Sequence, residues 1–430
     1  MKCTGFEKVS GYMVDFFLRK EFGKHSELKF KMSVRNDEAN AQLEKVGQNV
    51  GVMLDVKNPV PVFFGEITSV TVERKLGNTC IEVSAVSDSA KIDSDKHTRI
   101  FQNPDKTFAD ILKPARLKIP QCKIELATDL SSANYKNILV QNQETDFEFL
   151  NRLARYANKK VWINDTKAGQ IVLKVADCAD DTPRKIELKK IISCRIGREK
   201  NLKIARIETQ EYFPTGALVQ IENYNCKYLV NAVEFRLVHG SDRFFYELEE
   251  FTPRKIDINP APLEKTIKFK AKITNTADEK NLGRVQVQIT DAEDEDSKKS
   301  WLPYRTPYSG KDGGFVFIPD VGDTVEVIFA NGDFFVCSAL RENALQKDFQ
   351  NVADKYIANN SGQKIFFKQE SLEIVSAKNK ILLDKDKIEL TAGDNKILLS
   401  SAGIEIKSSS DIAIKTGKDV NISGANIKLS

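Results

Sequence analysis

Three histidines, His25, His97 and His239, seven cysteines and an acidic run at 291–296 are the residues of this chain that could do chemistry. A zinc or hydrolytic centre needs such groups converging at ligand spacing, but the histidines sit in separate segments without HExxH or HxH. Cys3, Cys80, Cys122, Cys178, Cys194, Cys226 and Cys337 are odd in number, far apart and without a CxxC pair, so they read as buried thiols. The acidic run lacks the central glycine and closing glutamate of a calcium loop and reads as a solvated loop. No GxSxG elbow, GxxxxGK[ST] phosphate loop or GxGxxG after a strand occurs. No catalytic, cofactor or metal site is therefore expected, and function is expected to lie in the architecture.

That architecture is mainly β. At 430 residues, with 41% hydrophobic and 29% charged residues, the chain has length for two to four globular domains. Lys plus Arg number 65 against 61 Asp plus Glu, a net charge of +4 that argues against nucleic acid as principal partner. No apolar leader precedes a cleavage site, and no stretch approaches a membrane span. Period-two patterns at 27–34, 60–72 and 80–86 predict strands, with further strands at 160–163, 216–222, 228–235 and 243–248. Thr145, Glu148 and the apolar face Phe149, Leu150, Leu153 and Ala157 predict a capped helix, and a shorter one is expected at 108–112.

Three prolines between Pro253 and Pro262 mark a linker, after which short strand-like runs at 266–274, 283–290, 299–304, 314–318 and 323–329 suggest a five-stranded oligonucleotide/oligosaccharide-binding (OB) barrel, with 334–339 able to close it. From Lys364 the chain repeats: Ile365, Ile381 and Ile397 open successive copies 16 residues apart, and apolar-x-apolar triplets recur about every eight residues through Ile412, Val420 and Ile427. Such triplets make short strands with one apolar face, which a strip of this size cannot bury alone. Two further copies around a threefold axis would cover it, with strands of neighbouring chains alternating along the shaft. The domains expected are 1–255, 263–342, a linker at 343–363 and a needle at 364–430.

Two segments carry a family resemblance. Arg99-Ile100-Phe101-Gln102-Asn103, then Gln141 through Leu153, resemble the "RIFQN" and "QYxETDxxFLxRL" stretches of VgrG, the spike family of type VI secretion related to phage baseplate hubs. In the barrel, Gly283-Arg284-Val285-Gln286-Val287, Ser300-Trp301 and Phe317 through Val327 with Asn331-Gly332-Asp333 are similar to the family's "GRVKV", "SxWxRV" and "FxPRxGDEVxVxFxxGD". Asn142 stands where an aromatic is usual, and Leu302-Pro303-Tyr304 departs after Trp301.

The resemblance implies phage-hub-like domains, an OB-type barrel and a triple-stranded β-helix or prism formed by a homotrimer. It implies a non-enzymatic spike that caps an Hcp-like tube, sits among baseplate proteins, touches the target membrane transiently and carries effectors, made in the cytoplasm and exported without a signal peptide. It implies a PAAR-type tip protein on Ile427, Lys428, Leu429 and Ser430. With nothing following Ser430, toxic chemistry would ride on another chain. The alternatives from other classes are an OB-fold protein binding single-stranded nucleic acid and a cell-wall-cleaving tail needle; the latter would need a catalytic domain between barrel and repeat, where only about 20 residues stand.

Overall fold

Alternation at 27–34 places Leu28, Phe30 and Met32 on one face, and they meet Ala85, Val83 and Ile81 of the antiparallel strand Asn78–Ser87. The computed structural model describes the chain except residues 56–57, 104, 114–121, 135–138, 200–201, 254–265, 295–298, 312, 331–332, 343, 346 and 429–430. Those two strands belong to a twelve-stranded sheet running from Lys2–Cys3 at one end to Ile191–Glu199 at the other. Gly11–Glu21 pairs with Tyr228–Val238, so strands more than 200 residues apart in the chain share one sheet. Phe16, Phe235 and Phe244 stack in its core at 4.6 Å between successive centroids. Strand Leu202–Thr209 and its neighbour Ile191–Glu199 were not legible in the sequence, because basic residues interrupt their alternation.

Helix is scarce. Asp146–Tyr156 is the long helix expected, and Phe108–Ile111 is a single capped turn. The long helix packs Phe149, Leu150 and Leu153 on a small sheet of Lys160–Asn164, Ile171–Ala176 and Cys122–Leu126. Trp162 is buried beside the turn that opens Ala217–Ile221 and donates from Nε1 to the Ala176 carbonyl at 3.2 Å. Gly216 makes that turn with φ +81°. The sheet layers are joined by buried Lys20, whose Nζ bonds the Asp165 carboxylate and the Val62 carbonyl at 2.8 Å.

Five antiparallel strands form the barrel sheet in the order Trp301–Pro303, Arg284–Ile289, Ile267–Asn275, Thr324–Ala330, Asp333–Leu340, and Tyr304 bridges Val336 to close it. The run 314–318 expected as a strand is not one: Gly314 makes a single bridge to Ser309, and Phe315, Val316 and Phe317 stand exposed. The strand Asp333–Leu340 takes its place. Gly322, at φ +95°, turns the chain into Thr324–Ala330, and Asp323 accepts the Asp320 amide at 3.0 Å. The linker expected around 253–262 lies almost wholly outside the described residues.

Met1–Leu340 and Arg341–Ser430 are separate compact units. In the second, strands from Lys355–Ala358 to Gly403–Lys407 form one seven-stranded antiparallel meander, each paired with the next. Two strands and two turns make the 16-residue repeat. The register puts Ile365, Ile374, Ile381, Leu390, Ile397 and Ile406 in one cross-strand row, with Leu372, Leu383, Ile388 and Leu399 beside it on the same face. The opposite face alternates Glu373, Leu382, Glu389, Leu398 and Glu405. The ladder thus closes within the chain, where alternation between neighbouring chains was expected, because Gly, Asn and Asp between triplets make hairpins. Past Lys407, through Lys428, no strand forms.

A methyl group on Gly216 would meet Ala179 Cβ at 2.5 Å and the Trp162 ring at 2.9 Å, whereas one on Gly169, at φ +68°, would meet nothing within 4 Å. Gly216→Ala is expected to cost about 2–4 kcal/mol in urea unfolding and Gly169→Ala about 1 kcal/mol. Equal losses would show that backbone conformation alone matters at Gly216.

Candidate functional site: the strand shared by hub and barrel

Strand Lys96–Phe101 carries the RIF residues, and its period of two sends them to opposite sides. It lies antiparallel to Leu139–Thr145, with Ile100 opposite Val140 and Phe101 opposite Leu139. Ile100 and Val140 are buried in the barrel core with Phe269, Val287 and Val327. Phe101 and Leu139 face the helix core with Phe149 and Leu153, and Phe101 stacks on Phe149 at 5.6 Å. One strand pair therefore belongs to both cores. Glu293 and Asp294, from the barrel's acidic run, pair parallel with Arg99 and Ile100, and Ser300 Oγ donates to the Gln102 carbonyl at 3.0 Å.

Arg99 is 1% exposed at the centre of this junction. Its Nη1 donates to the Asp146 carboxylate and to Gln141 Oε1 at 3.0 Å, and its Nε to Glu293 at 3.5 Å. Gln141 Nε2 returns to Asp146 at 3.0 Å. Nη2 alone has no partner among the described residues. Thr145 and Glu148 cap each other's amides at 3.1 and 2.9 Å and so fix the first turn that presents Asp146. Arg152 closes the strand end from the next turns, donating to Glu144 at 2.6 and 2.7 Å. The two sequence stretches quoted for the family resemblance thus meet in one ion-pair cluster.

Beside it, His25 stacks on Phe147 at 4.1 Å, and its Nδ1 lies 2.8 Å from Ser89 Oγ and its Nε2 3.3 Å from Asp93. Thr145 Oγ1 donates to the other Asp93 oxygen. Ser, His and Asp in contact evoke a nucleophilic triad, but Ser89 is buried and its hydroxyl also bonds Ser87 Oγ at 2.8 Å, away from the groove of about 980 Å³ that His25 and Asp93 line. Burial pulls the His25 imidazole below its ordinary value, against the opposing pull of Asp93. Sequence spacing gave no sign of this cluster, since its members lie 64 and 68 residues apart.

The other candidate residues stand apart. His97 Nδ1 is 3.8 Å from Glu293, and His239 occupies a turn at φ +50°. All seven thiols are unpaired, but only Cys3 and Cys122 are buried as expected, which pushes both up to about 12, whereas Cys194 is exposed and the other four are half-buried. Among the described residues no group of three or more His, Cys, Asp or Glu could hold a metal. No described helix is long and apolar enough to cross a membrane. Ile427 and Lys428 are exposed and outside any strand, while Leu429 and Ser430 lie outside the described residues.

Residues 269–337 match the family described as the type VI secretion system/phage-baseplate injector OB domain. A comparison with curated proteins gives no match. Among solved structures, an Escherichia coli protein, described as a type VI secretion system component with structural similarity to the T4 bacteriophage tail proteins gp27 and gp5, superposes with TM-score 0.58 at 12% identity, over 79% of this chain and 99% of that one. A chain of the lidless PdpA–VgrG complex gives 0.59 at 9% identity over 92% and 94%. One from the half-lidded Francisella PdpA–VgrG complex gives 0.57 at 10% over 92% and 84%. The chain has the fold of a phage-hub-like, VgrG-type spike. Its barrel is the part that matches the injector OB-domain family.

Arg99→Met is expected to cost about 3–5 kcal/mol, because Asp146 is left buried without its cation, and the Arg99→Met/Asp146→Asn pair should lose less than the two single changes summed. Urea unfolding of the four proteins checks this. His25 titrates near 6.5 when unfolded and lower when folded, so stability is full above about pH 6.5 and falls as pH drops through the folded value. Between pH 7.5 and 5.5 the wild type should lose more stability than His25→Gln; parallel losses would assign the change to carboxylates elsewhere.

Proposed function

We propose that the protein is the homotrimeric spike of a contractile injection apparatus. The observation that carries this reading is the uncovered face of the C-terminal meander. Every residue of its central rows is aliphatic, yet Ile374, Leu390 and Ile397 are about two-fifths exposed and Ile404 and Ile406 more so. The reverse face is mixed, setting ion-paired glutamates beside Leu382 and Leu398: Glu373 lies between Lys368 and Lys380 at 2.9 and 3.2 Å, and Glu389 between Lys387 and Lys396 at 2.8 and 3.4 Å. Three such sheets packed by their apolar faces around a threefold axis make a closed prism.

Two further features support association. Ile412, Ile414, Val420 and Ile422 continue the octad without in-chain pairing, and in the trimer their backbone groups find partners on neighbouring chains. On the barrel, Phe315 and Phe317 stack at 4.8 Å and, like Tyr308, Val316 and Val321, are exposed, an apolar surface suited to contact between copies. The hub and barrel then cap an Hcp-like tube among baseplate proteins, the prism punctures the target envelope, and tip and effector proteins are carried with it out of the cell. The role is mechanical. A PAAR-type tip protein docks on Ile427, Lys428, Leu429 and Ser430; the domains are 1–255, 263–342 and 364–430, and the stretch 343–363 read as a linker adds strand Lys355–Ala358 to the meander of the last one.

Light scattering should give about 145 kDa, three chains of 48.4 kDa, and about 48 kDa for Ile381→Asp/Ile397→Asp. A wild-type monomer or a dimer near 97 kDa would contradict the trimer. Deleting residues 420–430 should abolish capture of a PAAR-type protein while leaving the trimer, and unchanged capture would remove the tip assignment.

A further inference from the structure

His25 sits in the turn between strands Gly11–Glu21 and Glu27–Val34, and a chain of hydrogen bonds runs through it from the hub sheet to the long helix. The Ser26 amide donates to Ser87 Oγ at 3.0 Å, Ser87 Oγ lies 2.8 Å from Ser89 Oγ, and Ser89 Oγ lies 2.8 Å from His25 Nδ1. On the other side of the ring Nε2 meets Asp93, whose second oxygen accepts from Thr145 Oγ1, and Thr145 Oγ1 accepts the Glu148 amide.

Donor accounting gives this chain a direction. An ionised carboxylate only accepts, so Nε2 carries the hydrogen and Nδ1 of the neutral ring is bare. Ser89 therefore donates to Nδ1, Ser87 donates to Ser89, and the Ser26 amide donates to Ser87. Every hydrogen has an acceptor. A second proton on the ring stands on Nδ1 and points at Ser89 Oγ, which leaves the hydroxyl hydrogens of Ser89 and Ser87 to share one hydrogen bond. One of these hydroxyls, both almost fully buried, then has no acceptor among the described residues. The opposing attraction to Asp93 is screened, because that side chain is 35% exposed. The groove around the ring also carries Glu21, Lys24 and Glu27 from its own segment, Lys96 and Glu144 from the strand pair, Glu148 and Arg155 from the helix, and Lys159 and Lys160 after it. Among the described residues Asp93 alone is within ion-pair reach of the imidazole.

We propose that His25 is a proton-operated latch on the start of the long helix. Neutral, it clamps Asp93, and through it Thr145, to the end of strand Asn78–Ser87; protonated, it parts from Ser89 and the helix start loosens. Asp146, which holds Arg99 at the junction with the barrel, follows Thr145 directly, so the latch makes that junction sensitive to pH.

Deuterium exchange at histidine Cε1, followed by mass spectrometry of the full-length protein, reads His25 apart from His97 and His239, and amide exchange in the same samples reads 145–148. Ser89→Ala removes the competition between hydroxyls and should raise the proton affinity of His25 about tenfold. Ser87→Ala removes as many atoms but still drives the Ser89 hydroxyl off Nδ1, and should change that affinity little. Between about pH 7.5 and 5.5, amide exchange at 145–148, corrected for its intrinsic pH dependence, should step up as His25 protonates in the wild type and show no step in His25→Gln. Equal effects of the two serine changes, no step in the wild type, or a step that persists in His25→Gln overturns the proposal. Should Ser89→Ala lose its fold by circular dichroism, the His25→Gln comparison decides alone.

Discussion

A β-strand has two faces, and what covers the second one decides the fate of each part of this chain. In strand Lys96–Phe101 both are covered from within: Ile100 enters the barrel core and Phe101 the helix core. Neither core can be completed without that strand, so hub and barrel are one cooperative body through residues 99–101 and their partners 139–141. In the meander the same alternation leaves one face of Ile and Leu with no layer from its own chain. The first arrangement makes a self-sufficient unit, and the second leaves an aliphatic face exposed.

Arg99 shows how the junction is specified as well as stabilised. Apolar contact alone would let the barrel slide along the strand pair, since Ile100 and Val140 are interchangeable with many aliphatic neighbours. A buried guanidinium tied to Asp146, Gln141 and Glu293 fixes one register, because any slip would strand a charge out of water. Thr145 and Glu148 set the helix start that places Asp146 there.

Much of this was legible in the sequence where local pattern and tertiary outcome agree. The 16-residue repeat, the capping box and the strands at 27–34 and 78–87 follow from periods that one element dictates. Phe315-Val316-Phe317 misled because three apolar residues between glycine and isoleucine look like a barrel strand, yet they are left outside the sheet and exposed. The junction and the His25–Ser89–Asp93 cluster could not be read from spacing, because they join residues brought together only by the fold. The choice between in-chain hairpins and alternating chains was also invisible, since one octad pattern satisfies both.

The account turns on the uncovered face of the meander being inside an assembly. Cysteine placed at Ile397 or at Glu389 samples the two faces of neighbouring strands, since Ile397 pairs with Leu390 and Glu389 with Leu398. Maleimide labelling of the native protein, localised by mass spectrometry, should modify the cysteine at 389 readily and spare the one at 397. Equal labelling at both positions would show that the apolar face meets water, and would contradict the spike.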